Sequence, residues 1–86
     1  MPVSGVIVMC EAGAAGTVRR RIEARPNAEV REISGDSLIV VTDTATLDED
    51  TRTVEWLGKV PGVLSTHVTF VNIEDVAGDD QSGEAK

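Results

Sequence analysis

The stretch AEVREISGDSLIVVTD, residues 28–43, decides how the chain is put together. Its second half, Ser37–Asp43, holds Leu38, Ile39, Val40 and Val41 in an unbroken apolar run, the pattern of a central strand covered on both faces. Ser34-Gly35-Asp36 has the residue types of a tight turn. Ala28–Ile33, before the turn, reads as a mixed strand. That strand does not alternate cleanly, because Glu32 shares the parity of Val30 and Ile33 does not; a bulge or an exposed edge accounts for this.

Working outward, each end of this strand pair meets a helical pattern. On the N-terminal side, Thr17–Ala24 has Val18 and Ile22 four residues apart, with Thr17 as a candidate cap. Arg25-Pro26-Asn27 ends that helix, since proline disfavours helical backbone in the residue before it. On the C-terminal side, Thr46–Val60 carries Leu47, Val54 and Leu57 as an apolar stripe. Thr46 or Asp48 caps it, and Asp48, Glu49 and Asp50 sit where the helix dipole favours negative charge. Pro61-Gly62 stops it. Outermost are two further strands: valine-rich Val3–Cys10, followed by the loop Glu11–Gly16, and Val63–Ile73. The division expected is one domain over residues 1–75 and a disordered acidic tail over 76–86, where almost nothing is apolar.

The order β-α-β-β-α-β is the α+β, ferredoxin-like arrangement. Right-handed crossovers place both helices on one face of a four-stranded antiparallel sheet, with the first and third strands central and the second and fourth at the edges. No helix remains for the other face. Strand alternation then assigns side chains. Asp43 belongs in water, so Ile39 and Val41 point to the open face and Leu38 and Val40 to the core. On the first strand Val6 and Val8 go to the core and Gly5, Ile7 and Met9 to the open face. On the last strand the greasier set, Leu64, Thr66, Val68 and Phe70, is expected to meet the helices, leaving Val63, Ser65, His67, Thr69 and Val71 opposite.

The expected result is an apolar patch of Ile7, Met9, Ile39 and Val41, bordered by Ser65, His67 and Thr69. Full burial of its four apolar members would gain on the order of 6–12 kcal/mol gross. A small domain rarely leaves such a patch unused. Its cover would be a second copy of the chain in a homodimer, the chain's own tail, or a partner peptide, to which a methionine adapts well.

Composition narrows the classes of function. The 86 residues allow one core, and a domain of this size buries only about 60% of its unfolded surface. Net charge is −7: residues 1–43 carry five Lys/Arg against six Asp/Glu, and residues 44–86 three against nine. A nucleic-acid partner is not expected, because phosphate contacts need a basic surface. A basic peptide would be attracted to the acidic half. No apolar run approaches a membrane span and no secretory signal is visible, so a cytoplasmic location is expected. The lone Cys10 forms no internal disulfide and no CxxC pair, which fits a reducing compartment.

Catalytic and cofactor chemistry finds little to work with. Cys10 and His67 lie on adjacent strands but fall on opposite faces, so a nucleophile–base pair is not expected. Gly13-Ala-Ala-Gly16 before a helix lacks the P-loop lysine and the dinucleotide pattern, and reads as a plain loop. Arg19, Arg20 and Arg21 fan apart by about 100° each on a helix and form a solvated face rather than a cluster. Trp56 flanks the helical stripe as half-buried packing. The sequence therefore calls for no enzyme activity, no metal and no cofactor.

Four pieces of sequence carry a resemblance: Ser4-Gly-Val-Ile-Val8, Ile22-Glu-Ala-Arg-Pro-Asn-Ala-Glu-Val30, Leu38-Ile-Val-Val41 and Val60-Pro-Gly-Val-Leu64. In order and spacing the chain resembles the NapD family over roughly residues 3–75. The resemblance implies a small cytoplasmic chaperone for maturation of periplasmic nitrate reductase. Such a chaperone binds the twin-arginine signal peptide of the catalytic subunit precursor (NapA-type) as a helix against the sheet. It thereby delays export until the molybdenum cofactor is inserted. The resemblance brings no strict site motif, so the peptide-binding residues expected are those of the open face. The Pro-Gly-Val-Leu approach to the last strand also occurs in ACT and Lrp/AsnC-type domains, which leaves a small-ligand-binding or oligomerisation domain as the alternative. An acylphosphatase-like enzyme would need an arginine in the loop after the first strand, and a heavy-metal-associated domain a second thiol; neither is present.

Overall fold

The computed structural model describes residues 2–73; the tail expected at 76–86 lies outside the described residues. The elements run β1 (Pro2–Cys10), α1 (Ala15–Glu23), β2 (Ala28–Ser34), β3 (Ser37–Asp43), α2 (Leu47–Leu57) and β4 (Val63–Ile73). The strands form one antiparallel sheet in the order β2-β3-β1-β4, so the first and third are central as the element order implies. Val6 and Val8 of β1 and Leu38 and Val40 of β3 meet Val18 and Ile22 of α1 and Leu57 of α2, all with no exposed surface.

Local chemistry explains where the helices start. Thr46, in extended backbone, caps α2: its Oγ1 accepts the Glu49 N–H at 3.1 Å, while the Glu49 carboxylate accepts the Ala45 N–H at 3.1 Å. This is a capping box displaced by one residue. Asp48, the other candidate cap, instead pairs with Arg52 one turn on. The helix closes at Leu57 rather than Val60, because Lys59 and Val60 bond back to Trp56 and Leu57 in a tightening turn. α1 begins two residues before Thr17: Gly13, at φ +79°, and a turn from Ala14 N–H to the Glu11 carbonyl (2.9 Å) lead the chain in, and no side chain caps it. Arg25 lies over the half-buried Trp56 ring at 4.4 Å, tying the end of α1 to α2.

One buried group joins the layers. Asp50 of α2 is 3% exposed and accepts the Ser4 hydroxyl at 2.5 Å and the Thr42 hydroxyl at 2.6 Å. Ser4 and Thr42 are themselves opposite each other on β1 and β3. Sequence position suggests a dipole role for Asp50 in common with Asp48 and Glu49; burial and these two bonds make it a clamp across the central strand pair.

Three bulges correct the simple alternation. In β2, Arg31 is the extra residue: Val30 pairs with Val40 and Ile33 with Leu38, so both apolar residues return to the helix side despite opposite parity. The strand has a bulge and an exposed edge together, since Ile33 remains 43% exposed. In β4, Thr69 is extra between Val68 and Phe70, and Leu64 between Val63 and Ser65. Past Thr69 the parity inverts. Of the set expected to meet the helices, Thr66 and Val68 do so; Phe70 turns to the uncovered face and Val71 takes its place opposite Ser4. Leu64, unpaired, is 67% exposed, and Val63 packs against the core opposite Cys10.

Asp50→Ala is expected to lower the unfolding free energy by on the order of 3–4 kcal/mol, two hydrogen bonds to a carboxylate at roughly 1.5–2 each. Thr46→Ala, which removes one capping bond, should cost about 1 kcal/mol. Urea unfolding of both variants checks the ratio, with the slope m unchanged.

Candidate peptide-binding face

Residues opposite one another on paired strands share a face, so the register lays out the helix-free side of the sheet in rows. One row runs Glu32, Ile39, Ile7, His67; the next Glu29, Val41, Gly5, Phe70. Beyond them lie Ser34, Ser37, Met9, Ser65 on one side and Asp43, Val3, Asn72 on the other. Ile39 is 41% exposed and Phe70 49%, whereas Val3, Ile7, Met9 and Val41 are half-buried among their neighbours. Among the described residues no helix lies over these rows.

The structure brings together the residues expected there. Ile7, Met9, Ile39 and Val41 form the apolar middle, and Ser65 and His67 lie exposed beside it on β4. Thr69, the bulged residue, donates its hydroxyl to the Gly5 carbonyl at 3.1 Å on the margin of the same face. Met9 is steadied by the Ser37 hydroxyl, 3.1 Å from its Sδ.

Phe70 is the member that strand alternation missed. Its ring lies over Gly5: a Cβ at that position would collide with the ring and lie 2.8 Å from Thr69 Oγ1. Gly5 was the available signal, because a glycine inside an otherwise apolar strand marks a close approach. The charged residues of the face were also missed. Among the described residues, the exposed acids Asp48, Glu49 and Glu55 of the acidic half are on α2, in the other layer. The acids of the open face, Glu29, Glu32 and Asp43, come from the nearly neutral half. Glu29 pairs with Arg31 at 3.2 Å. Together with Val3, Val41 and Asp43 these two line a hollow of about 280 Å³ at the β2 end of the sheet.

The one thiol stays apart from this face. Cys10 lies on the helix side opposite Val63, and burial, then the charge of Asp36, pushes its thiol pKa up, away from a reactive thiolate. His67 is on the open face, with the sheet between it and Cys10. No group of three His, Cys, Asp or Glu able to hold a metal occurs among the described residues.

A family model described as NapD protein matches residues 1–75. The chain belongs to the NapD family. Among solved structures, this NapD chain is similar to the Tat proofreading chaperone NapD of E. coli, with a TM-score of 0.75 at 22% identity, covering 88% of this chain and 82% of that one. At that identity the likeness shows the fold. It is also similar to the hypothetical protein PHS023 of Pyrococcus horikoshii (TM-score 0.66, 28% identity, 85% and 90% covered). FFRP-DM1 gives the same score and identity, with 85% and 100% covered. Among curated proteins none matches the sequence.

Gly5→Ala is expected to push Phe70 off the sheet and cost about 1–3 kcal/mol as overpacking. Combining it with Phe70→Ala should recover part of that loss, giving a coupling of about 0.5–3 kcal/mol in a double-mutant cycle of unfolding energies.

Proposed function

We propose that the uncovered face of this NapD protein holds the twin-arginine signal peptide of a periplasmic nitrate reductase catalytic subunit in the cytoplasm. Export of the precursor is thereby delayed until its cofactor has been inserted. NapD proteins are signal-peptide-binding maturation chaperones, and the observation that carries the site is the apolar row centred on Ile39 and Ile7 on the side of the sheet that neither helix covers.

The chemistry matches on several counts. An export signal presents a basic start and then an apolar stretch of roughly 7–15 residues. The face presents apolar side chains in its middle and acids along one edge. Burying a half-exposed isoleucine, valine and phenylalanine against a helix regains part of the roughly 1.5–3 kcal/mol per side chain that full burial is worth. Binding needs no catalytic group. No described helix is long and apolar enough to cross a membrane.

Ile39→Glu and Val41→Glu, each placing a carboxylate in the middle of the strip, are expected to abolish binding of a synthetic twin-arginine signal peptide in calorimetry. Both side chains point away from the core, so cooperative thermal unfolding should persist. Unchanged affinity in both variants would sink the open-face reading.

A further inference from the structure

From the row structure of the sheet we infer a direction for the bound peptide. The arginine pair lies over the β2 rim, at Glu29, Glu32 and Asp43, and the apolar stretch crosses β3 and β1 to end at Phe70 on β4. The inference rests on the reading of the face as a signal-peptide site and adds which way the peptide runs.

Both full rows across the sheet have the same polarity. Each begins with a glutamate on β2 and passes through apolar residues of β3 and β1. Each ends without an acid on β4, at His67 in one and Phe70 in the other. β4 contains no Asp, Glu, Lys or Arg over its 11 residues. Asp43 extends the acidic edge, and among the described residues neither it nor Glu32 is in an ion pair. Arg31 partly offsets Glu29, leaving two carboxylates, Glu29 and Asp43, against one guanidinium at the 280 Å³ hollow, with Glu32 farther along β2 opposite Ile39. Among the described residues, a cationic pair thus finds net negative charge at β2 and none at β4.

The dimensions agree. Strands about 4.8 Å apart make the four-stranded sheet roughly 14 Å wide between its outer strands. A helix rising about 1.5 Å per residue crosses that in about ten residues, within the length of a signal's apolar stretch. Facing the other way, the arginines would sit beside His67 and Phe70 while the apolar stretch covered the charged edge.

Nitroxide labels on a synthetic twin-arginine signal peptide, bound to the full 86-residue protein, test the direction. A label just before the arginines should broaden the amide signals of residues 29–33. A label at the far end of the apolar stretch should broaden residues 66–70. The reverse pattern, or both labels acting on one strand, overturns the direction and leaves the face reading intact. Broadening confined to α1 and α2 overturns the face reading itself. Charge variants give a second readout. Glu32→Gln and Asp43→Asn should each weaken binding about two- to fivefold and flatten its salt dependence. Arg31→Ala, by releasing Glu29, should tighten it. Affinity indifferent to all three excludes the rim as the arginine site.

Discussion

A slip of one residue in the pairing of β1 with β3 would exchange the core of this domain for its open face. Val6 and Val8 alternate with Ile7 and Met9 on one strand, and Leu38 and Val40 with Ile39 and Val41 on the other. Both sets are apolar, so the hydrophobic pattern alone specifies this register weakly. Polar chemistry settles it. Ser4 and Thr42 face each other across the two strands, and the Asp50 carboxylate receives both hydroxyls from above. A slipped strand would carry one hydroxyl to the far side of the sheet and leave a buried carboxylate oxygen without its donor, a penalty of about 1–3 kcal/mol on top of lost packing. The clamp therefore decides which apolar residues are buried under the helices and which remain available to a partner.

The fold was legible because its large features follow from composition. An apolar run as dense as Leu38–Val41 belongs in the middle of a sheet, and two helices cover one side of a sheet only. What escaped the sequence were local departures from regularity. A bulge inserts a residue without requiring any particular side chain, so Arg31, Leu64 and Thr69 give no sign of being extra. Each bulge then propagates: Phe70 and Val71 exchange faces solely because Thr69 precedes them. Asp50 escaped for a different reason, since a carboxylate in the first turn of a helix fits the dipole equally well whether it faces water or two hydroxyls.

The charge of the open face depends on where acids are placed as well as on how many there are. Counting by halves puts the acidity after residue 43, yet the exposed acids of that half that are described belong to α2, on the side away from the open face. Among the described residues the face draws on three carboxylates, spread along β2 and the end of β3, from a half whose charges nearly cancel. Placement matters as well as total, because at ordinary salt an exposed charge acts over about 8–10 Å. The helix layer is separated from the open face by the sheet itself, roughly that distance.

The two edges of the sheet bear on what kind of partner the face can take. β2 is short, bulged at Arg31 and carries Glu29, Arg31 and Glu32, a combination that discourages a further strand. β4 is longer and uncharged, and would template an added strand but for its irregularities at Leu64 and Thr69, five residues apart. A strand laid outside it would find its ladder interrupted twice within 11 residues. Both edges thus disfavour growth of the sheet in its own plane, while the plane itself stays apolar and open. A partner with its backbone hydrogen bonds already satisfied loses nothing by lying on such a surface, and an α-helix meets that condition.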